Sequence, residues 1–231
     1  MRIIEDSAHR QWDKYWRDGV ESEAEKSRRS PFSLMPLIKF AEKIMKYGRY
    51  CLIRSTLRRY MPHICNKPVL DIGCGLGRTV SFFRRIGLKN TIGIDWSMEG
   101  LKVCQAQGLK INKDVFQMDC RQTSFDNGYF NLVFSEGILE HYEDFSVLVR
   151  EMARISNEYV YILQPDHFSL CGKLRVFVLR NMLKGANESF PELSYKMEDF
   201  IDCFDKAGYK LILRKSTFLR NYTVLLFKKA V

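Results

Sequence analysis

The chain has 231 residues, of which 46% are hydrophobic, and this suits the core of one α/β domain. No uninterrupted apolar run reaches the roughly 18 residues of a membrane span, and the first ten residues carry acids where a signal peptide is apolar. The seven cysteines are scattered without a Cys-x-x-Cys pair. They predict reduced thiols in a cytoplasmic protein, and neither a disulfide framework nor a metal site.

The net charge of +10 is concentrated in one segment. Between Lys26 and Lys67, eleven Lys and Arg residues stand against a single acid, Glu42, so this segment carries an amount equal to the whole excess. A localised basic segment suits an anionic partner, such as nucleic acid, phospholipid headgroups or an acidic substrate. The simpler interpretation is a helical face whose charges are solvated.

Residues 1–66 predict a helical extension before the main domain. Trp12, Tyr15 and Trp16 have the spacing of one helical face, which predicts a helix over residues 11–19. Such an aromatic face usually packs against the rest of the protein.

Residues 31–66 predict two basic amphipathic helices. Pro31 and Pro36 are typical helix-start residues, and Pro62 ends the pattern. The apolar face favours packing on the main domain, although a basic amphipathic helix can also lie on an anionic membrane surface.

The stretch from Val69 to Arg78, VLDIGCGLGR, predicts a buried strand, a glycine turn and the start of a helix. Its glycines stand at alternate positions, 73, 75 and 77. This order places backbone N–H groups at the end of a strand, where nucleotide-like ligands bind in open α/β sheets. The dinucleotide fingerprint would need glycine where Arg78 stands, and the Gly-Lys-Ser/Thr ending of a P-loop is absent.

A second strand over Thr91 to Ile94 ends at Asp95, which lies 18 residues beyond Gly77. At this spacing, α/β nucleotide sites place a carboxylate on the ribose hydroxyls. Trp96 could stack on an adenine ring. The alternative for Asp95 is a helix N-cap, a role that Ser97 could fill instead.

The Asp-x-Gly-x-Gly-x-Gly loop, Asp95 and the blocks VFQMDC and FNLVFSEGILEH together resemble the class I S-adenosylmethionine (SAM) dependent methyltransferases, and their ubiquinone/menaquinone-biosynthesis-type branch (methyltransferase type 11) in particular. The resemblance covers residues 69–165, and residues 196–231 by pattern only. It implies an α/β fold with a seven-stranded, mostly parallel, doubly wound Rossmann-like sheet over residues 67–231. The family usually has Phe-Asp where this chain has Phe130-Asn131. The cofactor-binding residues that it implies are Asp71, Gly73, Cys74, Gly75, Gly77, Asp95, Trp96, Asp119, Cys120 and Ser135.

The resemblance also implies individual roles. Asp71 and the glycine backbone would hold the methionine end of SAM, Asp95 the ribose, and Asp119 the adenine amino group. Arg78 could anchor the loop or meet the cofactor carboxylate, or it is simply a surface residue at a helix start.

A general base is needed if the acceptor must lose a proton. His141 is the first candidate, because an ordinary histidine titrates near neutrality, and Glu136 is the second. A histidine that caps or packs at a helix start is the alternative for His141.

The insert over residues 165–196 predicts a substrate lid or, equally well, a packed extra helix. The resemblance implies methyl transfer by in-line displacement to a small-molecule or lipid-like acceptor. An RNA methyltransferase that uses the basic segment and a catalytically silent SAM-binding scaffold are the alternatives.

Overall fold

The computed structural model describes residues 12–17, 35–170, 172–173, 193–217 and 221–230. The described strands form one seven-stranded sheet, as predicted. In chain order they are β1 (Val69–Ile72), β2 (Thr91–Asp95), β3 (Val115–Gln117), β4 (Phe130–Glu136), β5 (Ser156–Pro165), β6 (Tyr209–Ser216) and β7 (Tyr222–Lys229).

The sheet has the order β3-β2-β1-β4-β5-β7-β6. The first five of these strands are parallel, whereas β7 pairs antiparallel with both β5 and β6. From β1 the chain extends outward to β2 and β3, and it then returns to place β4 on the other side of β1. Open α/β sheets bind ligands at the carboxyl end of such a reversal.

Helices cover both faces of the sheet. The helices are α1 (residues 12–17), α2 (Met35–Tyr60), α3 (Arg78–Arg85), α4 (Met98–Ala106), α5 (Ser146–Ile155) and α6 (Met197–Lys206). The prediction of two helices over residues 31–66 is wrong, because α2 is continuous from Met35 to Tyr60. The only glycine inside it, Gly48, costs helix stability without breaking the chain of hydrogen bonds, and no proline stands between Pro36 and Pro62.

The basic helix α2 packs against the sheet through its second half. Ile53 and Leu57 are buried in the same cluster as Phe83 of α3, Phe134 of β4 and Leu226 of β7. This packing fixes α2 over one face of the sheet, while α5 and α6 cover the other face. The first half of α2 therefore reaches the carboxyl ends of the strands.

Two predictions fall largely outside the described residues. Most of the proposed lid, residues 171 and 174–192, is not described, and neither is the start of the basic segment, residues 26–34. Among the helices that the structure describes, none is long and apolar enough to cross a membrane.

Candidate active site

A cavity of about 410 Å³ lies at the carboxyl ends of β1, β2 and β4. The glycine loop after β1, the last residue of β2 and the short 3-10 turn Leu139–His141 after β4 contribute to its wall, and residues of α1 and α2 complete it. The cavity thus lies where the strand order reverses.

The carboxylate of Asp95 joins the end of β2 to the glycine loop. Its Oδ2 accepts a hydrogen bond of 2.7 Å from the Gly75 backbone N–H, and its Oδ1 accepts one of 2.8 Å from the Ser97 N–H. Ser97 is the N-cap of α4, since its hydroxyl accepts from the Gly100 N–H. Burial raises the pKa of Asp95, although these N–H donors oppose the shift.

Asp71 is a second acid at the same edge. It is buried within β1, in register with Gly93 of β2 and Phe134 of β4. Burial raises the pKa of its carboxyl well above the ordinary value, and the negative charges of Glu136 and Asp95 add to the effect. A positively charged ligand group would offset this cost, so the acidic floor of the cavity fits a cationic ligand.

Helix α1 covers the glycine loop. A side chain at Gly75 would bring its Cβ within 2.8 Å of the indole ring of Trp16, and φ at Gly75 is +50°. The ring of Trp12 meets the ring of His141 edge to face, with centroids 5.1 Å apart. The carboxylate of Asp13 accepts a 2.5 Å hydrogen bond from the Ser97 hydroxyl, which fastens α1 to the start of α4.

The two candidate bases have different surroundings. Both His141 and Glu136 line the cavity. Oε1 of Glu136 lies 2.7 Å from Nη1 of Arg49, and the two side chains are only about a quarter exposed. The guanidinium of Arg49 occupies this oxygen of Glu136, so the geometry favours His141 as the base.

Lys46 and Arg49 of α2 line the cavity, together with Tyr50 and Tyr222, and the sequence analysis assigned none of them to the site. The sequence pattern favoured solvated charges for this basic segment, with an anionic partner as the alternative. One signal could have found them: Lys46 and Arg49 share a helical face with the buried Ile53.

Nine of the twelve predicted site residues line the cavity: Asp71, Gly73, Cys74, Gly75, Asp95, Trp96, Cys120, Glu136 and His141.

Gly77, Asp119 and Ser135 do not line it. Gly77 precedes α3 with φ at +67°, and Ser135 is fully buried within β4. Both carboxylate oxygens of Asp119 accept hydrogen bonds from Arg121. Its contact with adenine therefore stays a prediction.

Comparison with known proteins shows what this chain is similar to. Residues 70–162 match the family model described as "Methyltransferase domain". The matched residues run from β1 to β5, so this part of the sheet is similar to a methyltransferase domain. Ajmaline N-methyltransferase from Rauvolfia serpentina is 31% identical to this chain over 103 residues, which are 43% of this chain and 35% of the relative. The chain thus spans about a third of the length of the curated relatives it matches.

Solved structures share the methyltransferase fold. Magnesium protoporphyrin IX methyltransferase from Synechocystis PCC 6803, with bound SAM, superposes with a TM-score of 0.65 at 14% identity, over 96% of this chain and 97% of that one. A [4+2]-cyclase superposes with a TM-score of 0.60 at 13% identity, over 79% of this chain and 81% of that one. At identities of 13–14%, these similarities support the fold and do not assign a function.

Proposed function

We propose that this protein is a SAM-dependent methyltransferase that acts on a small-molecule or lipid-like acceptor. The observation that carries the proposal is the pair of acids, buried Asp71 and half-buried Asp95, near the carboxyl ends of adjacent parallel strands beneath a glycine loop. A phosphate-binding site would place cations there, whereas a sulfonium cofactor needs acids.

The residues of this end of the cavity fit the cofactor. Asp95 has two carboxylate oxygens for the two ribose hydroxyls, and the glycine loop beside it lines the cavity. Asp71 would face the positively charged methionine end, where it relieves its own burial cost. Trp96 offers an aromatic face for the adenine.

The bound cofactor supplies an activated methyl group on a sulfonium, so the protein need not provide a nucleophile. The chain aligns donor and acceptor and excludes water, an effect worth up to roughly 7–11 kcal/mol. Trp12 and Trp16 of α1 line the cavity and would shield a bound cofactor from water. His141 would accept a proton from the acceptor where the acceptor must lose one.

Calorimetric titration with S-adenosylhomocysteine (SAH) tests the proposal. We expect micromolar binding that Asp95→Ala abolishes. The control is Asp202→Ala, since Asp202 is exposed on α6 and does not line the cavity. A folded wild-type protein that fails to bind SAH would refute the proposal.

A second candidate function is SAM binding without methyl transfer. The [4+2]-cyclase neighbour supports it, because its name describes a different reaction on a similar fold. A protein of this kind would bind SAH but would release none from SAM with any acceptor pool. An RNA methyltransferase is a third possibility, because the exposed arginines Arg54, Arg58 and Arg59 of α2 extend the positive charge away from the cavity. It would shift RNA in a salt-dependent manner and would methylate it.

A further inference from the structure

We propose that the methyl acceptor carries an anionic group, a carboxylate or a phosphate, which Arg49 binds with the help of Lys46. This inference rests on the proposed function, because it assigns the acceptor end of the same cavity. It adds the chemical class of the acceptor, which the fold and the family leave open.

The position of Arg49 separates it from the cofactor end. The glycine loop follows β1, Asp95 ends β2 and Cys120 follows β3, and these three strands lie on one side of the sheet reversal. Arg49 instead contacts Glu136, the last residue of β4, and Tyr222, the first residue of β7. These two strands lie on the other side of β1, so Arg49 borders the space beyond the cofactor.

The charges at this end of the cavity are mainly positive. Lys46 Nζ lies 5.9 Å from the centre of the Tyr50 ring, and the charges of Arg49 and Arg78 both act on the Tyr50 hydroxyl. Three cations thus lie around Tyr50, and the charges of two acids, Glu136 and Asp71, also act on it. One positive charge remains in excess there, and an anionic ligand group would balance it.

The guanidinium of Arg49 is held ready for such a ligand. Its Cζ lies 4.8 Å from the centre of the Tyr222 ring, and its Nη1 pairs with Glu136. These contacts fix the side chain, so little rotamer entropy is lost when it binds. A guanidinium has five N–H donors in a planar fork, and the pair with Glu136 leaves donors for a carboxylate or phosphate.

The cofactor has a carboxylate of its own, and the same chemistry would let Arg49 bind that group instead. The two assignments differ in what Arg49→Gln does to SAH. If Arg49 holds the acceptor, SAH affinity changes less than threefold in the variant. If Arg49 holds the cofactor, SAH affinity falls by tenfold or more.

The test uses full-length protein saturated with SAH and three probes of similar size: benzoate, phenyl phosphate and neutral benzamide. Binding is measured by ligand-observed NMR at constant ionic strength. We expect wild type to bind at least one anion tenfold more tightly than benzamide, and the preferred anion tells carboxylate from phosphate. Arg49→Gln should lose this preference, whereas Arg54→Gln, an exposed arginine of the same helix outside the cavity, should keep it.

Three outcomes would overturn the inference. They are an equal affinity of wild type for benzamide and both anions, an anion preference that survives in Arg49→Gln, and a tenfold loss of SAH affinity in that variant. Each of these leaves the cofactor site intact in wild type. Failure of wild type to bind SAH is a different result, which refutes the proposed function and this inference together.

Discussion

The backbone N–H of Gly75 donates a 2.7 Å hydrogen bond to Oδ2 of Asp95, so the glycine loop of β1 is tied to the end of β2. The same carboxylate accepts from Ser97, which opens α4. One half-buried acid therefore holds the shape of the loop and also lines the cavity. The shape of the loop and the charge of Asp95 both affect ligand binding, and substitutions at Asp95 can separate the two effects.

Asp95→Asn keeps the shape of the side chain and removes its charge. Hydrogen bonds to a charged group are worth about 1.5–3 kcal/mol, so we expect SAH affinity to fall by roughly 10- to 100-fold. Calorimetry gives the affinity, and circular dichroism verifies that the variant is folded. Asp202→Asn, on the remote helix α6, should bind like wild type. Unchanged affinity in Asp95→Asn would remove Asp95 from the cofactor site.

Asp71 should make both stability and cofactor binding depend on pH. Its pKa is raised in the folded protein, so between the unfolded and folded pKa values the folded state binds more protons. The free energy of unfolding should therefore fall as pH rises through this window, and Asp71→Asn should remove that part of the fall. Urea denaturation at several pH values measures it. A wild-type slope identical to that of Asp71→Asn would contradict the assignment.

The affinity for SAM should change with pH in the opposite sense. A sulfonium favours the ionised form of Asp71, so binding should strengthen by up to about tenfold per pH unit across the same window. SAH has a neutral sulfur and should show a weaker dependence. Parallel titrations of the two ligands over pH test this. Equal slopes for SAM and SAH would place the sulfonium away from Asp71.

Tryptophan fluorescence should report ligand binding directly. The chain has three tryptophans, Trp12, Trp16 and Trp96, and all of them line the cavity. We expect SAH to change the emission in a saturable manner, with no such change in Asp95→Ala. Trp16→Ala uncovers the glycine loop and should weaken SAH binding by roughly tenfold through lost apolar burial. Tyr129→Ala, an exposed aromatic outside the cavity, is the matched control.

The buried amide of Gln164 should lower the free energy of unfolding of the protein. It is fully buried at the end of β5, and neither atom of its amide has a hydrogen-bond partner within the described part of the chain. A buried unpaired polar group costs about 1–3 kcal/mol, so Gln164→Met should raise the free energy of unfolding by that order. Urea denaturation measures the change. Gln107→Met, at an exposed position, should stay within about 0.5 kcal/mol of wild type.

A loss of stability in Gln164→Met would show that the amide makes a bond in solution. The hydroxyl of Ser135, on the neighbouring strand and in register with Ile162 of β5, is also buried and has no partner among the described residues. Ser135→Ala therefore provides an independent test. It should be neutral or stabilising for the same reason.

The glycine loop and the strand ends were predictable because their signals are local. Positive φ at Gly73, Gly75 and Gly77 follows from the loop pattern, and Ser97 caps α4 as its position beside Asp95 suggested. Strand β5 spans Ser156–Pro165 and extends beyond the apolar core of the segment, since its ends pair with β4 and β7. The length of such a strand depends on the strands that pair with it, and these are distant in the sequence.

The sequence by itself determined the sheet, the loop and the acids at its edge, because backbone conformation and apolar periodicity are properties of neighbouring residues. Only the tertiary structure decided which distant charges meet. It brought Arg49 of α2 to Glu136 of β4, and it placed α1 over Gly75. It also paired Asp119 with Arg121, and Asp119 does not line the cavity. The energies of these contacts depend on distance and burial, which arise only when the packed helices and the sheet place the side chains together.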